Sequence, residues 1–235
     1  MQYTTDVRII RLMCTGRVDP TMVVDAFIEG ADGIMVVGCH FGDCHYISGN
    51  YQARAKMGLA QRTLGYVGLN PARVAFNQCS SAEGDRFVSQ VTAFQSAIQE
   101  MGPLGSAERF QLPDLKEKLE TAKAALSSEK LRWVAGKFTV FENEGNKYGE
   151  RFTEHEMWRT LDTIVIDEIA TYAILKEMEK GAASVKELAG KLEMAPPDVL
   201  KYVLALQRRG VVGVAGINGG TPSYKILERA AKAAA

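Results

Sequence analysis

A chain of 235 residues, 46% hydrophobic and 24% charged, is long enough for one large domain or two small ones with real cores. Its 28 basic and 28 acidic side chains cancel, which argues against a general polyanion binder. No apolar run approaches the length needed to span a bilayer, and the start Met1-Gln2-Tyr3-Thr4-Thr5-Asp6 lacks the parts of a signal peptide. Four cysteines, all between Cys14 and Cys79, do not make a secreted disulfide scaffold, so a soluble protein of a reducing cytoplasm is expected.

Val7 to Met13 reads as a strand, with Cys14 just past its end. A turn over Thr15–Pro20 leads into a helix that Asp19 or Thr21 caps, with Pro20 in its first turn and Val23, Val24, Ala26 and Phe27 on its apolar face. Gly30 stops it. The apolar run Gly33–Val37 reads as a buried parallel strand that delivers Cys39. The two strands and their helix form a βαβ unit whose right-handed crossover puts both strand ends on one rim. A helix over residues 50–67 ends at Gly68. After the Asn70-Pro71 turn comes a strand, Arg73–Gln78, closed by Cys79. A helix with Phe87, Val91, Phe94 and Ile98 at helical spacing follows, ending at Gly102-Pro103.

The chemistry concentrates in Gly38-Cys39-His40-Phe41-Gly42-Asp43-Cys44-His45-Tyr46. In open α/β sheets the carboxyl ends of the strands face the binding crevice, so two soft ligands arrive where such folds hold cofactors. Cys-x4-Cys is the leading pair of the plant-type iron–sulfur spacing. A Cys2His2 zinc site is the rival, weakened because Cys39–His40 and Cys44–His45 are adjacent pairs whose side chains diverge on an extended chain. A redox dithiol would more usually be Cys-x-x-Cys, and a free cysteine is often only a small buried hydrophobe. All four cysteines lie at or just beyond strand ends, and that clustering favours iron–sulfur.

These same residues carry a resemblance. Cys14-Thr15-Gly16-Arg17-Val18-Asp19-Pro20, Glu29-Gly30-Ala31-Asp32-Gly33, Gly38 to Tyr46, Gly49-Asn50-Tyr51 and Ser81-Ala82-Glu83-Gly84 together resemble the methyl-viologen-reducing hydrogenase delta subunit (MvhD-like, hydrogenase iron–sulfur subunit) family over about residues 5–102. The resemblance implies a [2Fe–2S] cluster, with Cys14, Cys39 and Cys44 as metal ligands and cofactor-binding residues. It implies an electron-transfer subunit, not catalytic alone, passing electrons between a hydrogenase or formate dehydrogenase and a heterodisulfide reductase-like, electron-bifurcating complex. The partners it implies are the A subunit of a heterodisulfide reductase-like complex and hydrogenase or formate dehydrogenase subunits. Family members normally begin with a further strand ending in Cys-x-x-Cys, which lies upstream of Met1 here. The expected fold is therefore a flavodoxin-like parallel sheet that is N-terminally incomplete, poorly soluble or partly molten when expressed alone. Cys79 is a candidate fourth ligand by position, and a start upstream of Met1 is the competing explanation.

Beyond Pro103 a Gly- and Ser-containing linker precedes a charged helix from about Pro113 to Ala135, striped by Leu115, Leu119, Ala122 and Leu126. Lys137–Tyr148 reads as two short strands around a glycine turn, and His155 and Trp158 fall in a polar segment, His155 as a surface residue. From Thr163 the pattern is helix, short helix (Ser184–Leu192), helix (Pro196–Arg209), then two strands around Gly219-Gly220, a winged-helix-like α+β arrangement. Nucleic acid is the rival partner there. Residues 160–229 hold nine basic and nine acidic side chains, and the would-be reading helix offers one lysine between Asp198 and Leu206, so protein docking is favoured. The expected domains are 1–103, a linker with helix and hairpin over 104–158, and 159–229. His40, Asp43 and His45 are expected to tune the cluster's potential without ligating it. The alternative function is an iron–sulfur redox-sensing transcriptional regulator.

Overall fold

The computed structural model describes residues 5–227, so Met1 and residues 228 and 229 of the expected last domain lie outside them. Contacts divide the chain into two units, residues 1–166 and 167–235. The first is α/β. After a single 3-10 turn over Thr15–Arg17 come α1 (Pro20–Ile28), β1 (Ile34–Gly38), α2 (Gly49–Tyr66), β2 (Val74–Gln78), α3 (Gly84–Met101), α4 (Leu112–Ser127), α5 (Glu129–Glu144) and the start of α6 (Glu154–Glu179). Asp19 caps α1, its Oδ1 accepting from the Thr21 N–H at 3.0 Å, and Pro20 occupies the first helical position. Gly30, at φ 96°, takes the left-handed turn that ends the helix.

β1 and β2 pair in parallel, Ile34 opposite Val74 through Gly38 opposite Gln78, with α2 as the crossover. Their carboxyl ends therefore lie side by side. α2 is the core helix: Ala53, Met57, Leu59, Ala60 and Leu64 are buried, and it packs against α1, α4, α5 and β2. At the opposite end of the sheet Arg73 is fully buried. Its guanidinium donates to both oxygens of Glu108 and to the carbonyls of Asp32, Gly102 and Pro103.

Three expectations need correcting. Residues 7–13 form no strand: the only described neighbour of β1 is β2, so no ladder exists for them to join. Ile10 and Met13 stand 80% and 81% exposed as a result. Cys14 thus reaches the rim by the 3-10 turn and not by a βαβ unit. In place of the expected 137–148 hairpin, α5 continues to Glu144 and ends at Gly145, because Phe138 and Thr139 are buried against the helical layer and the Gln52 side chain donates to Thr139 Oγ1. Finally, 104–158 is no linker. Glu108 anchors its start, α4 packs on α1 and α5 on α2, and the long helix expected over 113–135 breaks at Ser128, whose hydroxyl caps α5.

The second unit takes the end of α6, β3 (Ala183–Ser184), α7 (Val185–Leu192), α8 (Pro196–Arg208), β4 (Val212–Asn218) and β5 (Thr221–Ile226). Its antiparallel sheet has the order β3–β5–β4, and Gly219 and Gly220, both at positive φ, turn the hairpin. Ile174, Met178, Leu188, Val199, Val203, Leu206, Val212 and Tyr224 make its core. Ser184 and Glu187 form a reciprocal capping box at the start of α7. Replacing Ser184 with alanine is expected to lower the unit's stability by about 1 kcal/mol in urea titrations. An unchanged midpoint would show that the cap is redundant.

Candidate functional site

The rim made by Gly38 and Gln78 collects all four cysteines. Cys39 and Cys79 each follow the last residue of their strand, and the Cys79 N–H donates to the Gly38 carbonyl at 2.8 Å. Cys14 precedes the 3-10 turn, and Thr15 lies against Gly38, where an added Cβ would come within 2.9 Å of its hydroxyl. Cys44 lies buried in the loop five residues ahead of α2. Its sulfur lies 3.9 Å from that of Cys14.

Glycines make this approach possible. A Cβ on Gly16 would stand 2.8 Å from the Gly49 Cα, so two backbones touch where any side chain would separate them. A Cβ on Gly49 would lie 2.2 Å from the Cys14 sulfur and 3.2 Å from that of Cys44. The two thiols rest directly over the first turn of α2. Lys56 pins the turn from below, donating to the Gly16 carbonyl at 2.7 Å.

The same helix end divides the two thiols electrically. Ser48 offers α2 no side-chain cap, so its first N–H groups are free for the Cys44 sulfur. Burial works to raise the Cys44 thiol. The N–H groups of Tyr46, Asn50 and Gly49 and the Cys14 thiol outweigh it and hold Cys44 below the ordinary range. Burial pushes the Cys14 thiol up, and the charges of Cys44 and Cys39 add to that, against one N–H from Gly16. Of the two, Cys44 is therefore the thiol more readily ionised. The Cys39 side chain is exposed.

Two thiolates on one tetrahedral metal, with metal–sulfur bonds of about 2.3 Å, stand about 3.7 Å apart. The Cys14–Cys44 separation matches that edge, and a pair of soft sulfur donors is the right chemistry for such a metal. Among the described residues no three donors yet converge at metal-binding distance, so Cys39 joins this edge only by a movement of its side chain.

The loop that carries Cys39 is held at its backbone. Asn50 is fully buried and donates to the carbonyls of Cys39 and His40, at 3.2 and 2.6 Å. His40 Nε2 meets Glu83 Oε2 at 2.6 Å, and Glu83 also accepts from the Ser80 N–H at 2.8 Å. His40 thus ties the rim loop to the start of α3, while Asp43 and His45 remain exposed. Residue-type reasoning singled out the cysteines but gave no role to Gly16, Gly49, Asn50 or Glu83. The usable signal was two glycines and a buried amide beside the sulfur donors.

Beside this rim, a groove of 510 Å³ runs between Phe41, α2 and the first turns of α6. Its three arginines are spoken for: Arg54 pairs with Glu142 and Glu154, Arg62 with Asp162, and Arg86 donates to the Gln78 carbonyl. Trp158 is sandwiched by Phe138 and the Arg62 guanidinium, so the groove wall is structural packing.

Ile47, in the loop between Cys44 and α2, stands out. It is β-branched, 85% exposed and held at φ 67°, a conformation that costs such a residue of order 1 kcal/mol. Ile47→Asn places a residue that accepts this conformation and should raise the thermal midpoint by the equivalent of about 0.5–1 kcal/mol. A lower midpoint would mean that the Ile47 side chain packs usefully.

The family model described as methyl-viologen-reducing hydrogenase, delta subunit, matches residues 1–102. The iron-sulfur D subunit of the F420-non-reducing hydrogenase of Archaeoglobus profundus is 42% identical over 101 residues, 43% of this chain and 74% of that protein. The iron-sulfur D subunit of the vhu F420-non-reducing hydrogenase of Methanocaldococcus jannaschii is 41% identical over 103 residues, 44% of this chain and 77% of that protein. The A subunit of the ferredoxin:CoB-CoM heterodisulfide reductase of Methanosarcina mazei is 41% identical over 106 residues, 45% of this chain. The matched stretch spans 13% of that reductase protein's length.

Proposed function

The chain belongs to the methyl-viologen-reducing hydrogenase delta subunit family, and from that premise we propose that its first unit is a one-electron carrier between a hydrogenase or formate dehydrogenase and a heterodisulfide reductase-type complex. The single observation that carries the reading is the Cys14–Cys44 thiol pair at 3.9 Å over the N-terminus of α2, on the same rim as Cys39. Cys14, Cys39 and Cys44 would hold a [2Fe–2S] cluster. Bound there, the cluster supplies reversible acceptance of one electron.

This chain's own residues fix the surroundings. The N–H groups at the start of α2 stabilise negative charge on sulfur, which favours the ionised thiols that metal binding requires. Asn50 and the His40–Glu83 pair hold the loop still, keeping the reorganisation on electron transfer small. The names of relatives, a hydrogenase D subunit and a heterodisulfide reductase A subunit, support partners of those two kinds. Free thiols suit a reducing cytoplasm. Among the described residues no helix is long and apolar enough to cross a membrane.

The helix–strand–helix–helix–strand–strand order of the second unit supports a winged-helix reading, and we read it as a protein-docking module. Leu200 and Leu204 are exposed on α8, one helical turn apart, where a nucleic-acid reader would offer polar or basic groups. In anaerobic rapid mixing, the loaded and pre-reduced chain should give up about one electron per cluster to a purified heterodisulfide reductase A subunit. Retention of duplex DNA that falls steeply with salt, with no electron transfer, would favour the regulator instead.

A further inference from the structure

From the outer edge of β2 we infer that the groove beside the rim takes an extended, uncharged segment of a partner protein as one more strand of the sheet. The inference goes beyond the electron-carrier reading and does not depend on it.

One bond fixes the direction of every peptide group in β2. In a parallel ladder the N–H and C=O of one residue point to the same side of the strand, and those of the next residue to the other. The Cys79 N–H donates to the Gly38 carbonyl, so Ala75 and Asn77 also turn their main-chain groups toward β1. Val74, Phe76 and Gln78 therefore turn theirs outward. Side chains meet them there at both ends. Gln61 donates to the Val74 carbonyl at 2.7 Å, and Arg86 and Gln90 donate to the Gln78 carbonyl at 3.1 and 3.0 Å. Between these caps the N–H and C=O of Phe76 and the N–H of Gln78 have no partner among the described residues.

The groove runs along this open stretch, with Phe76, Asn77 and Gln78 in its lining. α2 covers the face of the sheet that carries Phe76, whose ring adjoins Phe41 stacked on Tyr51. α3 covers the opposite face, where Phe94 and Ile98 lie against Gly33. Glu154 and Trp158 of α6 close the far wall. The recess thus begins at the strand edge itself, where a further strand would lie about 4.8 Å away. A second copy cannot supply it from its own β2, because that edge is recessed in the same way. A single extended segment fits.

The walls set the segment's chemistry. The residue opposite Phe76 places its side chain on the α2 face, beside Phe41 and Met57, which calls for an apolar group. Its neighbours face α3, where Gln90 lines the groove with a buried Oε1 that has no donor among the described residues. Hydroxyl or amide side chains suit those positions. Charged ones do not, since each guanidinium in the groove already lies against a carboxylate: Arg54 against Glu142, Arg62 against Asp162, Arg86 against Glu83. Strand addition of this kind draws affinity from main-chain bonds and specificity from alternate side chains.

The test titrates a blocked pentapeptide of alternating valine and threonine, with valine at its centre, into the full chain and follows its amides by NMR. The Phe76 and Gln78 amides should shift saturably and exchange their hydrogens at least about tenfold more slowly. The same peptide with proline at its centre lacks an N–H there and should bind at least about tenfold more weakly. Gln78→Pro removes one outward N–H, leaves the ladder to β1 intact and should weaken binding, with thermal melts as the folding control. Equal binding of the proline peptide would overturn the inference, as would tighter binding of a valine–glutamate peptide. So would unprotected Phe76 and Gln78 amides at about 5 mM peptide, where even a site of about 1 mM affinity is mostly filled. Protection of both amides in a concentration-dependent dimer, without peptide, would make a second copy the occupant and overturn it too.

Discussion

Arg73→Met is expected to destabilise the first unit by about 3–5 kcal/mol, the range for removing one partner of a buried ion pair. The substitution strands the Glu108 carboxylate in the interior and leaves the carbonyls of Asp32, Gly102 and Pro103 without their donor. Burial alone would raise Glu108. The Arg73 guanidinium and the Asn70 N–H outweigh it and hold the carboxyl below its usual range. A carboxyl depressed on folding contributes stability that is fully present above its unfolded pKa of about 4.3 and is lost as pH falls through the folded value. The gap between wild type and Arg73→Met in urea titrations should therefore be widest near neutral pH and narrow below about pH 4. A difference under about 1 kcal/mol at pH 7 would show that the pair is dispensable to the sheet's lower end.

Gly49→Ala should separate the site from the fold. Alanine suits the first turn of a helix, and no unusual backbone angle stands in its way at this position. Its methyl, however, would fall 2.2 Å from the Cys14 sulfur, and the thiol pair has no room to keep its spacing. Overpacking of this kind typically costs about 1–3 kcal/mol, which a unit of this size tolerates. The expected result is a folded chain, with a cooperative melt and native circular dichroism, that takes up less than about a tenth of the wild-type iron. Full iron loading in Gly49→Ala would mean that metal binds away from the Cys14–Cys44 edge.

What the sequence disclosed and what it hid have physical reasons. The elements with local instructions were legible: Asp19 and Pro20 before α1, Gly30 after it, the apolar run of β1, and Asn70-Pro71 ahead of β2. So was the rim itself, because a parallel pair must place Cys39 and Cys79 at the same end. The 7–13 segment was misread because its alternation satisfies a strand pattern, whereas a strand exists only with a partner to bond. Lys137–Tyr148 failed for a related reason. Phe138, Val140 and the aromatic Phe141 have strand preferences, and the decisive fact, burial of one helical face against α2, lies about 80 residues away in sequence. The Arg73–Glu108 pair was invisible to composition, since a charge-balanced chain gives no sign of which charges are buried together. The close approach of Gly16 to Gly49 was likewise hidden, because contact between two distant backbones leaves only two ordinary-looking glycines.

The central claim is that thiols on this rim hold iron and sulfide for single-electron traffic. It is tested most directly by purifying the full chain without oxygen and recording its iron, acid-labile sulfide and low-temperature electron paramagnetic resonance before and after reduction, beside Cys14→Ala and Cys44→Ala. The account predicts about two irons and two sulfides per chain and a spin-one-half signal that appears only on reduction, all lost in both variants. A colourless wild-type protein without sulfide, or a signal that survives both substitutions, would contradict it.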